Sequence, residues 1–284
     1  MLKDITLGQY FPGDSLLHRM DPRAKIICSI LYIVAIFCAQ DAVAFLVLAL
    51  SAVCLILLSR ISIRTILRGL KPILFVLIFT ALISLFLTGN SDEEPLWSVQ
   101  IPIFSWTWQP TIRLSGIVRA VFTSVRVVVL IIGTSIFLTY TTSPVMLTDA
   151  IESLLFPLTY LHVPVHTFAM MMTIALRFIP TLIEETDKIM NAQKARGADF
   201  ESGSLVRRAR ALIPVLVPLF VSAFKRAEDL AIAMECRCYR GGVGRTKMRK
   251  LVYGARDYIV MLCMALFLAG IFVCNHFDLL GIRL

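Results

Sequence analysis

The sequence predicts an all-α polytopic membrane protein with about five transmembrane helices, short amphipathic helices, and two long cytoplasmic helices. Three observations predict it. Apolar residues make up 58% of the 284 and charged residues only 17%, and the mean hydropathy is +0.80. A soluble domain of this length cannot hide so much apolar surface. The apolar residues fall in span-length stretches separated by short charged loops. Two runs late in the chain, 165–197 and 207–242, are mainly apolar in the first half and charged in the second.

The elements follow in order. The N-terminal segment lacks the charged-then-apolar-then-small pattern of a cleaved signal peptide, so the chain is expected to insert whole. Ile26 to Leu58 holds one charge, Asp41, and as a single helix would reach about 50 Å, too long for a hydrocarbon core of about 30 Å. A hairpin breaking at "AQDA" (39–42) gives two spans near the lower length limit. Residues 59–71 carry Arg60, Arg64, Arg68 and Lys71 and no acid, which places that loop in the cytoplasm. The N-terminus, with Arg19, Arg23 and Lys25, then lies on the same side.

Pro72 to Thr88 reads as a third span. The loop 89–112 carries Asp92, Glu93, Glu94 and the tryptophans Trp97, Trp106 and Trp108, a composition suited to the outer interface. Leu114 to Tyr140 is the fourth span and contains Arg119 and Arg126, seven apart and hence on one helical face. An arginine at membrane depth costs about 2.5–3.5 kcal/mol on insertion scales, so this face is expected either to meet protein or water or to snorkel to the interface.

From Ser143 the pattern shortens into amphipathic pieces punctuated by Pro157 and Pro164. The two long runs follow. In the second, Ala223, Ala227, Leu230, Ala231 and Met234 form an apolar stripe that suits close helix packing, with Lys225, Arg226, Glu228, Asp229 and Glu235 on the other face. Pro180, Pro214 and Pro218 are expected to bend the apolar halves. From Arg177 to Arg256 sixteen basic residues face eight acidic ones, a cytoplasmic balance. Asp257 to Asn275 is the last span, and parity puts the C-terminus outside. The expected divisions are 1–142, 143–256 and 257–284.

Both long runs end in an arginine beside a helix stop: Arg196 before Gly197, and Arg237 shortly before Gly241-Gly242. Glycine caps a helix C-terminus, and a cation in the last turn is favoured by the helix dipole. A local explanation therefore suffices for each tip alone. Two such tips, each presenting a permanently charged fork of donors, also make plugs for acidic grooves on a soluble partner.

Several chemistries find no footing. Cys236 and Cys238 form a lone C-x-C without metal-ligand company, and His162 and His166 are better explained by loop or core roles than as ligands. Asp149 and Glu152 read as solvated charge. "GGVGRTK" (241–247) has the wrong order for a phosphate loop, and no hydrolase or zinc-protease motif occurs. No cofactor, metal site or enzymatic activity is expected, and the net charge of +9 reports topology rather than nucleic-acid binding. A chain built to transmit work without a nucleotide site needs a separate motor.

The segments "GQYFPGDSLLHRMDPRAK" (8–25), "TTSP" (141–144), "ALRFIPTLIEETDKIMNAQKARGADF" (175–200) and "IPVLVPLFVSAFKRAEDLAIAMECRCY" (213–239) together resemble the transmembrane T components (EcfT) of energy-coupling factor transporters, a CbiQ-like branch of the ABC importers. The resemblance implies that the two long helices are coupling helices whose tips dock into two ABC-type ATPase subunits, a heterodimer. Ala195, Arg196 and Gly197 match the family's first Ala-Arg-Gly signature. The second reads Cys236-Arg237-Cys238 and keeps only Arg237, with Gly241-Gly242 expected to complete its turn. It also implies a separate substrate-binding S component in the bacterial plasma membrane, reoriented for vitamin or micronutrient uptake, with Met170, Met171 and Met172 as an adaptable contact surface. The alternative is a dedicated T component for cobalt, nickel or biotin. A membrane-embedded lipid-phosphate transferase is disfavoured because no clustered acidic metal motif lies at membrane depth.

Overall fold

A computed structural model describes residues 10–11, 13–87, 97–98, 101–103, 106–108, 111–112, 114–200, 202, 204–241 and 251–277. Asp92, Glu93 and Glu94 lie outside them. The described residues form two compact units. One draws on Tyr10–Ser143 and Leu251–Leu284, the other on Pro144–Lys250.

The first unit is a helical frame. Helix α1 (Pro22–Cys38) starts where Asp21 accepts the Arg23 amide at 2.9 Å and proline occupies the first turn, the position that suits its missing donor. It ends at Cys38, and α2 (Ala42–Ser59) begins three residues past the break at Ala39, so the expected hairpin is present. Arg60 takes a left-handed conformation (φ 54°) to turn the chain after α2. Ser62 then caps α3 (Ile63–Leu70), which leads through a single 3-10 turn at Lys71–Ile73 into α4 (Leu74–Leu87). The basic segment expected as a loop is thus largely helical. Ser62 satisfies the new helix end, and Pro72 is tolerated because it falls in that turn.

Residues 97–112 contribute two short antiparallel ribbons, β1 (Trp97–Ser98) with β4 (Thr111–Ile112) and β2 (Ile101–Ile103) with β3 (Trp106–Trp108). Helix α5 (Leu114–Thr134) continues as a π-helix over Ser135–Tyr140. Helix α9 (Ala255–Phe277) packs along α1. The centre of the unit is Tyr32, which meets Phe137 edge-on and stacks on Phe267, each at 6.1 Å between ring centroids. Gly133 lets α5 approach that ring: a Cβ there would stand 2.0 Å from Tyr32 Cε1.

The second unit contains α6 (Pro144–Leu154), a 3-10 segment Phe156–Leu161, and the long helices α7 (Val165–Ala195) and α8 (Leu205–Cys236). Both long helices run unbroken through their prolines. Glu152 is not merely solvated: it lies 2.9 Å from His166 Nδ1 and pins α6 to α7.

Five described helical segments are long and apolar enough to cross a membrane: Ala42–Ser59, Ile63–Ser84, Gly116–Tyr140, Val165–Ala195 and Ala255–His276. The chain is a multi-pass membrane protein. The membership differs from the sequence count, which includes 26–38 and omits α7. Helix α1 has 17 residues, about 26 Å, at the lower limit for spanning. The first half of α7 supplies the missing apolar length.

Candidate functional site: two matched helix tips

The tips of α7 and α8 have the same backbone. At the first, Gly197 N–H donates to Lys194 C=O (2.9 Å) and Ala198 N–H to Gln193 C=O (3.0 Å), with Gly197 at φ 87°. At the second, Cys238 N–H donates to Glu235 C=O (2.8 Å) and Tyr239 N–H to Met234 C=O (3.0 Å), with Cys238 at φ 56°. Each is the paired 5→2 and 6→1 pattern that satisfies the last carbonyls of a helix around one left-handed residue. In both, the arginine is the C-cap itself, Arg196 or Arg237, and it is exposed. Ala195 and Cys236 occupy the last helical positions.

The expectation that Gly241-Gly242 completes the second turn is overturned. Cys238 completes it, in a conformation that costs a residue with a Cβ about 1–2 kcal/mol. Gly241 is left-handed too (φ 86°), but it lies three residues further on. The signal for Cys238 was its alignment with Gly197 at the same offset from each arginine, not its residue type.

The two helices are tied together above the tips. Glu185 on α7 accepts from the Ser222 hydroxyl and, at 3.0 Å, from Arg226 Nη2 on α8. This corrects the sequence-based face assignment. Arg226 belongs with Leu219, Ser222, Ala223, Leu230 and Met234 in the half-buried stripe of α8, whereas Ala227 and Ala231 are exposed. The tie takes the place of close alanine packing. Glu185 stands eleven residues before Arg196, and Arg226 eleven before Arg237. At 1.5 Å per residue each arginine lies about 16 Å along its helix from the crossing.

Met170 is half-buried, while Met171 and Met172 are 55% and 40% exposed on the apolar half of α7. Helix α8 likewise exposes Val217, Phe220, Val221 and Phe224. His166 pairs with Glu152 rather than with His162.

In the first unit, two quoted segments meet through contacts the sequence did not announce. Lys25, 1% exposed, donates to the Thr141 carbonyl (2.7 Å) and to Thr142 Oγ1 (3.2 Å). Phe11 N–H donates to Tyr140 C=O at 3.1 Å. Lys25 is therefore a structural cation inside the protein. Asp257 accepts from the amides of Asp21 and Gly254, locking the start of α1 to the start of α9.

The sequence pattern of the CbiQ family, described as a cobalt transport protein, matches residues 13–248. The chain belongs to the CbiQ family. Within it, the chain is similar to the "Energy-coupling factor transporter transmembrane protein EcfT" of Clostridium kluyveri, 51% identical over 93% of this chain and 94% of that one. The protein of the same name from Ruminiclostridium cellulolyticum is 47% identical over 97% and 99%. That from Bacillus subtilis is 46% identical over 96% and 98%. Similarity of this extent over nearly full length makes this CbiQ-family chain an EcfT-type transmembrane component of an energy-coupling factor transporter.

Proposed function

We propose that the chain is the coupling scaffold of its transporter, with Arg196 and Arg237 seated in acidic grooves of two ABC-type ATPase subunits, a heterodimer. The observation that carries this reading is the pair of identically capped, exposed arginine tips at equal distance from one ion-paired crossing. ATP binding and hydrolysis move the two motors, and the rigid helices carry that motion to the membrane. A separate S component in the bilayer is thereby reoriented to release a vitamin or other micronutrient inside. The scaffold performs no chemistry of its own.

In this reading 1–142 and 257–284 form the membrane frame and 143–256 the coupling region, with the N-terminus and both tips cytoplasmic as the positive-inside rule requires. The exposed thioethers of Met171 and Met172, with Met170 beside them, offer an adaptable face for the S component.

The test is charge reversal. Arg196→Glu or Arg237→Glu weakens co-purification of the ATPases, and the double variant abolishes uptake while the protein still inserts. Wild-type uptake by the double variant would overturn the reading. A dedicated cobalt-type system is the second reading, favoured by the description of the matching family. Co-purification of several different S components assigns a shared module, and of a single one a dedicated system.

A further inference from the structure

We propose that a cavity at the α1–α2 turn binds the phosphate of an anionic phospholipid headgroup. The cavity, about 430 Å³, is lined by Gln40, Ser84, Arg119, Thr123 and Arg126 together with Phe37, Phe45 and Phe122. Two guanidiniums seven residues apart on α5 thus open into one space. Among the described residues, Arg119 makes no hydrogen bond or ion pair. Arg126 is partly committed: Nη2 donates to the Ala39 carbonyl at 2.8 Å and the guanidinium lies over the Phe45 ring at 5.1 Å. Its Nε is buried and has no partner.

Two cations beside a hydrocarbon core without a counter-anion are costly, and an oxyanion removes that cost by taking several charge-assisted bonds at once. Asp41, the N-cap of α2, adjoins the lining residue Gln40 in the chain. The residue is buried (3% exposed), and its carboxylate makes no hydrogen bond to either arginine. One carboxylate against two guanidiniums leaves the site net positive.

Position and shape favour a lipid over a free anion. Arg119 sits five residues into α5, about 8 Å from its start, a depth that suits a headgroup phosphate. Aromatic rings share the lining with the cations: Phe45 and Phe122 are 4.7 Å apart between centroids, and Phe37 is 61% exposed. Inorganic phosphate gains nothing from such a wall, whereas the glycerol and upper acyl carbons of a lipid do. Ser84 and Thr123 bring hydroxyl donors, and Gln40 an amide, to the same space.

The test is native mass spectrometry of the full-length protein in detergent, titrated with phosphatidylglycerol, diacylglycerol or inorganic phosphate. Phosphatidylglycerol is expected to bind, and Arg119→Gln to weaken it about tenfold, the worth of one charged hydrogen bond. Arg64→Gln on α3, outside the cavity, leaves binding unchanged. Because Arg119 makes no hydrogen bond or ion pair among the described residues, the variant keeps the thermal stability of the wild type. Equal phosphatidylglycerol binding by wild type and Arg119→Gln would overturn the proposal, as would equal binding of diacylglycerol. Displacement of the lipid by millimolar inorganic phosphate would instead mark a free-anion site and overturn the lipid assignment.

Discussion

At the scale of single residues, the tips show how different letters reach one backbone. Gly197 adopts φ 87° at no steric cost, while Cys238 adopts φ 56° against the Cβ penalty. Cys238→Gly is therefore expected to stabilise the end of α8 by about 1 kcal/mol, read as slower hydrogen exchange at the Tyr239 amide. Gly197→Ala has the opposite effect of similar size on the Ala198 amide. No side chain lies within 4 Å of a Cβ built at Gly197, so that cost is purely one of backbone conformation. The arginines were legible in the sequence because a charged residue at a helix stop stands out. The substitute for the second glycine was not, since cysteine carries no conformational signature of its own.

Helices were easier to read than their faces. The hairpin break at residues 39–41 followed from length alone, because an unbroken run would overshoot the bilayer. The inward side of Arg226 was not legible, because periodicity assigns a charged residue to solvent until its partner, here 41 positions upstream on α7, is known. The partnership predicts a charge swap. Glu185→Arg alone and Arg226→Glu alone should each broaden the distance distribution between spin labels near the two tips, and the double swap should narrow it again. Between α1 and α5 the critical contact is steric. Gly133→Ala drives a methyl into the Tyr32 ring and is expected to cost about 1–3 kcal/mol, seen as a lower melting temperature. Tyr32→Leu should recover part of that loss by removing the ring edge.

For the whole molecule, composition alone announced a multi-pass membrane protein, but it gave no sign that one of the N-terminal cations is buried. Lys25 counted toward the basic N-terminus in the sequence, and in the structure it fastens Thr141 and Thr142 from within. These are the last turns of the frame before the chain enters α6 at Pro144. Lys25→Met keeps the bulk of the side chain but leaves the Thr141 carbonyl without its donor. The expected cost is about 1–3 kcal/mol, measured by thermal unfolding in detergent. Which apolar helices count as spans was ambiguous for a physical reason: α1 is short and well buried, while α7 joins an apolar half to a charged half in one rod. That rod and its partner have a further consequence. With arms of equal length beyond the Glu185–Arg226 tie, the pair has the geometry of a balanced lever whose fulcrum is an ion pair. Equal and opposite pushes on its two ends turn the pivot, and pushes that match in size and direction carry it bodily without rotation. Opposed and parallel displacements of Arg196 and Arg237 therefore reach the crossing in different forms, the first as rotation and the second as translation.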